Sequence, residues 1–231
     1  MNVFITGTDT GAGKTHFSAA VLRACGRRGV GAIGMKPIAS GAEETPAGWH
    51  NDDVAALRAA ATVSAPDADI NPYLFALPAS PHIAADAAGA AIDVDVIDHA
   101  YRRCAAQAEV VVVEGVGGWL VPVTRDILVA DLADRLALPV VMVVGVRLGC
   151  INHALLTARA IGASGRPWLG YVANVVEPDL EALPAVLATL EEMLPGPCLG
   201  VVNWHDEESL GRAAGALADI LIARPDKTAR R

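Results

Sequence analysis

The feature that most constrains this chain lies at its start, where residues 3–15 read VFITGTDTGAGKT. A short apolar run ends at Thr6, a glycine-spaced turn follows, and GKT at residues 13–15 opens a segment rich in alanine. Strand, glycine loop and helix in this order are typical of a phosphate-binding loop. A strict search for G-x-x-x-x-G-K-[ST] would miss it, because Thr8 stands where that pattern has glycine. A purely structural turn is the alternative, but GKT directly after a buried strand favours phosphate binding.

Each part of this loop has a physical role. Gly11 and Gly13 let backbone N–H groups approach phosphate oxygens without a Cβ in the way. The helix N-terminus adds unpaired donors and a partial positive charge. Lys14 supplies a cation for the β- and γ-phosphates, and the Thr15 hydroxyl suits Mg²⁺. The loop therefore predicts nucleotide binding.

Apolar strands alternate with helical segments along the rest of the chain, and the valine run at residues 110–113 is the clearest buried parallel strand. This pattern predicts an α/β fold with a doubly wound, mainly parallel sheet of the P-loop NTPase type. We expect one domain over residues 1–223 and a disordered tail over residues 224–231. Residues 38–51 are predicted to be a flexible polar stretch, and residues 62–80 a long irregular connection.

The net charge indicates which partners to expect, and the cysteines indicate which cellular compartment. The net charge of −8 argues against a nucleic acid or an anionic membrane as partner. Lys14 and Lys36 are two of only three lysines, so positive charge is local to the predicted site. The four cysteines lack C-x-x-C spacing, and the first strand leaves no room for a signal peptide. We therefore expect a cytoplasmic protein with reduced thiols.

Polar and glycine-rich clusters follow several of the predicted strands. In a doubly wound sheet ligands bind beyond the carboxyl ends of the strands, so these clusters converge on one edge. Glu114 ends the valine strand, where a Walker-B-type carboxylate would hold Mg²⁺ opposite Thr15. Asp53, with Asp52 as the alternative, can provide a third oxygen. If they do not bind a metal, Glu114 is an ordinary charge at the end of a strand and Asp53 is part of a helix cap.

A second lysine lies next to the phosphate loop. Lys36 ends the second strand and can neutralise transferred charge or hold a substrate carboxylate or carbamate; the alternative is a surface lysine. The segment 148–153 opens a helix whose free N–H groups can bind an anion, with Asn152 as a polar contact. We assign no role to His153.

Five stretches of the chain form a combined pattern: TGTDTGAGKT at residues 6–15, KPIASG at 36–41, SPH at 80–82, VEGVGGW at 113–119 and GVRLGCINH at 145–153. Together they resemble dethiobiotin synthetases, in that family's order and spacing. The threonine at position 8 is itself that family's version of the loop. The resemblance covers residues 3 to about 175, and VAN at residues 172–174 extends it.

The resemblance implies a homodimeric enzyme of biotin synthesis. It would close the ureido ring of dethiobiotin from 7,8-diaminopelargonic acid, CO₂ or bicarbonate, and Mg-ATP. One amine would take up CO₂ to give a carbamate, and the carbamate oxygen would attack the γ-phosphate. The second amine would then displace phosphate from the mixed anhydride.

The resemblance also implies roles for individual residues. Lys14 and Lys36 would stabilise the carbamate and the transferring phosphoryl group. Thr15, Asp53 and Glu114 would be the Mg²⁺ ligands. Thr10 and Ser40 would orient the substrate. Asn152 would contact the substrate carboxylate across the dimer interface. The remaining nucleotide contacts would come from Gly11, Ala12, Gly13, Gly115, Val116, Gly117, Asn174, Val175, Asn203, Trp204 and His205.

The competing interpretation is a partner-regulated P-loop switch ATPase of the partitioning or division-site type. Such proteins carry a lysine early in the phosphate loop, where this chain has TDT at residues 8–10. A GTPase would show Asn-Lys-x-Asp, and NVVE at residues 174–177 does not match it.

Overall fold

The computed structural model describes residues 1–46 and 48–223, so the predicted tail at residues 224–231 lies outside the described residues. The strands are β1 (Val3–Gly7), β2 (Ala32–Met35), β3 (Ile38–Ser40), β4 (Glu43–Thr45), β5 (Gly48–His50), β6 (Tyr73–Phe75), β7 (Val110–Glu114), β8 (Val140–Val146), β9 (Trp168–Val175) and β10 (Cys198–Val202). The helices are α1 (Lys14–Arg27), α2 (Asp52–Ala60), α3 (Asp67–Ile70), α4 (Pro81–Ala87), α5 (Val94–Gln107), α6 (Val129–Arg135), α7 (Cys150–Ser164), α8 (Leu183–Met193) and α9 (Glu207–Ile222).

Six parallel strands form the central sheet in the order β10-β9-β8-β1-β7-β2. Side chains alternate between its two faces, as the two-residue period of a strand requires. Val111 and Val113 pack into the core beneath α4 to α8, whereas Val110 and Val112 pack against α1, α2 and α9. The predicted doubly wound parallel fold is confirmed.

The topology brings the predicted site to one edge of this sheet. β1 is a central strand, flanked by β7 and β8, and the glycine loop follows it directly. Glu114 ends β7 and Lys36 follows β2, so both lie at the same carboxyl edge as the loop. The strand order therefore places these groups together, although Thr15 and Glu114 are 99 residues apart in the sequence.

Two segments predicted to be irregular contain regular structure. β3 in the first pairs in parallel with β6 in the second, and Ile38 lies opposite Tyr73. β4 and β5 form an antiparallel hairpin, and α3 lies between α2 and β6. The sequence-based interpretation was wrong here because three-residue strands, stabilised by a distant partner, leave no local periodicity.

Local helix signals were interpreted correctly. The Asn51 side chain accepts a hydrogen bond from the Val54 backbone N–H at 3.2 Å and caps α2, and Pro81 is the first residue of α4.

All four cysteines are free thiols. Within the described residues, we find no helix of the length and apolarity that crossing a membrane requires.

Candidate active site

The glycine loop joins β1 to α1 in a conformation that requires glycine. Gly11 and Gly13 have φ values of 75° and 94°, in the left-handed region. A Cβ on Gly13 would lie 2.1 Å from Asn174 Nδ2, so a larger residue would displace this amide as well as strain the backbone. The same amide group donates a hydrogen bond to the Ala12 carbonyl at 2.9 Å. The loop is thus fixed by the end of β9 as well as by β1.

Lys14 is held inside the loop. Its Nζ donates to the Asp9 carbonyl at 3.0 Å, and the side chain is largely buried. Burial, and then the nearby charge of Lys36, lower the pKa of Lys14 to about 8. The ammonium group is therefore poorly compensated in the free protein and available to an anion.

A buried cluster of charges centres on Lys36. Its Nζ lies 2.6 Å from Glu114 Oε1, 2.9 Å from Asp53 Oδ2 and 3.3 Å from the Gly115 carbonyl. Lys36 is 3% exposed and Glu114 0%. Burial alone would lower the pKa of Lys36, but the two carboxylates outweigh it and the pKa is raised. The surface-lysine alternative is therefore wrong.

Three oxygen-bearing side chains meet beside this lysine. The Thr15 hydroxyl donates to Glu114 Oε1 at 2.7 Å. Burial would raise the pKa of Asp53, but Lys36 and Thr15 together lower it. The Asp52 side chain is 99% exposed, with a carboxylate oxygen 3.0 Å from His50 Nε2. The geometry therefore favours Asp53 over Asp52 as a site residue.

The oxygen set fits a magnesium ion bound together with phosphate. Glu114 Oε2 is buried and finds no hydrogen-bond partner among the described residues. Among the residues that the structure describes, no group of three or more His, Cys, Asp or Glu side chains could hold a metal by itself. Any metal here would therefore need ligands of other kinds as well. Two carboxylates and a hydroxyl suit Mg²⁺, because this ion takes few protein ligands and completes its shell with water and phosphate oxygens.

A cleft of about 650 Å³ opens over these groups, and Thr10 and Ser40 line it as predicted. Sequence reasoning missed one wall, formed by residues 78–81 just before and at the start of α4, and missed His16 and Val121. The position of His16 directly after GKT was the available signal. The cleft is lined by Thr10, Gly11, Gly13, Lys14, Thr15, His16, Lys36, Ser40, Asp53, Pro78, Ala79, Ser80, Pro81, Glu114, Val116, Gly117 and Val121.

The remaining predicted residues lie outside the lining of this cleft. Asn152 is exposed on α7, and the Val175 side chain is buried in the core. Trp204 is exposed, with its ring centroid 4.5 Å from that of His205, in the loop before α9. That loop leads to Glu207, whose carboxylate lies 3.7 Å from His16 Nε2. The Asn203 amide donates to Asp206 at 3.4 Å.

Solved structures with the same fold include two of MinD cell division proteins. The Aquifex aeolicus protein has a TM-score of 0.58 and 13% identity, with 97% of this chain and 98% of that chain covered. The Pyrococcus horikoshii septum site-determining protein MinD, bound to Mg-ADP, has a TM-score of 0.52 and 14% identity, with 96% of this chain and 94% of that chain covered. At this identity the likeness shows the fold alone.

Sequence relatives are far more similar. Residues 1–209 match the family described as AAA domain. An ATP-dependent dethiobiotin synthetase of Xanthomonas oryzae pv. oryzae is 48% identical over 92% of this chain and 95% of its own length. One from Salmonella typhi is 43% identical over 94% of this chain and 95% of its own length. The chain belongs to the family of ATP-dependent dethiobiotin synthetases.

Proposed function

We propose that this protein converts 7,8-diaminopelargonic acid, CO₂ and ATP into dethiobiotin, ADP and phosphate. One observation carries the proposal beyond family membership: Lys36 is buried between Glu114 and Asp53, within the cleft that also contains Lys14 of the phosphate loop. Two lysines converging on one cleft suit a reaction in which a phosphoryl group moves from ATP to an anionic carbamate.

The proposed chemistry proceeds in three steps. One substrate amine attacks CO₂, forming a C–N bond and releasing a proton to give a carbamate. A carbamate oxygen then attacks the γ-phosphorus, and the bond to ADP breaks. The second amine attacks the carbonyl carbon and loses a proton, phosphate leaves, and the ureido ring closes. Lys14 and Lys36 would offset charge on the phosphoryl group and the carbamate, and Thr10 and Ser40 would orient the substrate.

Magnesium would be held by Thr15, Asp53 and Glu114. The ion supplies charge neutralisation on the phosphate oxygens when it is bound. The hydrogen bonds among these side chains and Lys36 already hold their oxygens on one side of the cleft. This support is independent of the family resemblance, because it comes from the buried Glu114 oxygen and its neighbours.

The nucleotide would lie along the glycine loop. Gly11, Gly13, Val116 and Gly117 line the cleft and would contact its phosphates. Asn174 contacts the loop through its amide nitrogen, and its side-chain carbonyl oxygen would accept a hydrogen bond from the base. The contacts predicted for Ala12, Gly115, Val175 and residues 203–205 stay predictions.

We also propose that the enzyme is a homodimer with substrate near the interface. Leu120, Leu148 and Leu156 are exposed, and Leu148 reaches 86%. Leu120 and Leu156 line a second cavity of about 420 Å³ that also contacts Asp9 of the phosphate loop. If a second subunit packs its apolar surface there, Asn152, on the same helix as Leu156, would lie close to the active-site cleft of that subunit.

The cytoplasmic location stays a prediction.

Turnover with labelled bicarbonate tests the proposed function. Purified protein, diaminopelargonic acid, Mg-ATP and ¹⁴C-bicarbonate are expected to give an acid-stable labelled ureido product with equal amounts of ADP. The matched control omits diaminopelargonic acid and should give neither label incorporation nor rapid ADP release. ATP hydrolysis without label in an acid-stable product would contradict the proposal and favour the switch-ATPase alternative.

A further inference from the structure

Asp9, one of the loop residues without a role so far, makes three contacts. Its Oδ1 accepts from the Thr10 backbone N–H at 2.7 Å, and its Oδ2 accepts from Arg147 Nη2 at 2.7 Å. Its carbonyl accepts from Lys14 Nζ at 3.0 Å. One residue thereby fixes the backbone before Thr10 and the position of the Lys14 ammonium group.

Arg147 belongs to a well-defined turn between β8 and α7. The Cys150 N–H donates to the Arg147 carbonyl at 3.0 Å, and Gly149 precedes α7 with a φ of 90°. The Leu148 N–H donates to Glu177 Oε2 at 3.2 Å, which joins the turn to the segment after β9. Arg147 therefore has a fixed support from which to hold the phosphate loop.

The pair does little for overall stability. Within one subunit the Arg147 and Asp9 side chains are 39% and 47% exposed, and ion pairs with this much solvent contact contribute little to the folding of that subunit. Its geometric effect is specific, because the Asp9 carbonyl can hold Lys14 only while the Asp9 backbone keeps its orientation. The opposite side of the loop is held by Asn174 at Ala12, so the ion pair completes a two-sided support.

We propose that Asp9 and Arg147 are positioning residues of the ligase reaction. The pair holds the phosphate loop so that Thr10 and Lys14 face the cleft, and it ties the loop to the turn that begins α7. This inference rests on the proposed function for its kinetic consequence. It predicts that loss of the pair slows the chemical step more than it weakens nucleotide binding, since the loop glycines and the α1 N-terminus remain.

The kinetic test uses Arg147→Gln, Arg147→Lys, Asp9→Asn and the double variant Asp9→Asn/Arg147→Gln. We expect kcat to fall about tenfold in Arg147→Gln, with the dissociation constant for ADP within about threefold of the wild type. Arg147→Lys should recover most of kcat because it keeps the charge. The double variant should be no slower than the slower single variant, because both remove the same interaction.

Arg28→Gln is the matched control. Arg28 pairs with Asp219 at 2.7 Å near the opposite end of α1, far along the helix from the loop. Its kcat should equal that of the wild type. An unchanged kcat in Arg147→Gln, or single-variant effects that multiply in the double variant, would overturn the proposal.

Hydrogen exchange separates this inference from the proposed function. Peptides covering residues 8–15 should exchange faster in Arg147→Gln than in the wild type, and at the wild-type rate in Arg28→Gln. If the wild type makes no dethiobiotin, the proposed function fails, while faster exchange would still support the role of the pair in holding the loop. Unchanged exchange in Arg147→Gln would contradict that role even in an active enzyme.

Discussion

Lys36 Nζ lies 2.6 Å from Glu114 Oε1, and both side chains are buried at the carboxyl edge of the sheet. Removing one member of such a pair leaves an uncompensated buried charge, which costs about 3–5 kcal/mol, whereas the intact pair adds little net stability. The pair is therefore better explained by the placement of a cation beside the phosphate loop than by folding.

The first prediction concerns this cation. Lys36→Gln should lower kcat by at least about 100-fold, because an amide cannot neutralise charge that develops during phosphoryl transfer. ADP binding should remain within about threefold, since the loop glycines and Lys14 are intact. Steady-state kinetics and calorimetric titration with ADP measure the two quantities. Unchanged turnover would return Lys36 to a structural role.

A pair of neighbouring aspartates tests the metal site. Asp53→Asn should raise the Mg²⁺ concentration needed for half-maximal activity by about tenfold or more, because Asp53 lies in the oxygen cluster with Thr15 and Glu114. Asp52→Asn is the control, since its exposed carboxylate faces His50 instead. Magnesium titrations of activity in both variants decide the point. Equal responses would remove Asp53 from the proposed metal site.

The long elements could be predicted because each depended on local signals, and the convergence of the site followed from the rule that ligands bind beyond the carboxyl ends of parallel strands. The valine run of β7, the GKT start of α1 and the Asn51 cap are all local patterns. The pairing of β3 with β6 was missed because neither three-residue strand is stable without its partner. For the same reason the wall at residues 78–81 and the Asp9–Arg147 contact were missed, since each depends on groups distant in sequence.

The third prediction concerns one glycine of the phosphate loop and one beyond the far end of α1. Gly13→Ala should weaken ADP binding by at least about tenfold, because the new Cβ would lie 2.1 Å from Asn174 Nδ2 and displace the amide that holds the loop. Gly29→Ala is the control: its φ is also positive, but no heavy atom outside its immediate chain neighbours lies within 4 Å of an added Cβ, and it lies outside the cleft. It should cost about 1 kcal/mol of stability through backbone strain alone. Calorimetry and urea unfolding separate the two effects, and similar binding by both variants would contradict the clash.

The proposed dimer interface is tested on α7. Leu156→Glu should shift the protein from dimer to monomer in sedimentation velocity, because a carboxylate would be buried in an apolar contact. Val96→Glu, on an exposed position of α5, is the control and should leave the sedimentation coefficient unchanged. A wild type that sediments as a monomer would refute the dimer directly.

The last prediction follows from the lowered pKa of Lys14, which is about 8 in the free protein. The ammonium form predominates below that pH and the neutral amine above it, so kcat/KM for ATP should be level below about pH 7 and fall above about pH 8. Lys36 and Asp53, which also face Lys14, keep their charges through this range because their pKa values are raised and lowered respectively. Glu114 and Asp9 complete its charged surroundings.

Binding a phosphate favours the charged lysine, so nucleotide binding at pH 8 should take up about half a proton. Calorimetry in two buffers of different ionisation enthalpy measures this uptake. Lys14→Arg should abolish the alkaline fall, whatever its effect on rate, because the guanidinium stays protonated. A wild-type fall that begins only near pH 10 would mean that the Lys14 ammonium group is better compensated than the contacts around it indicate.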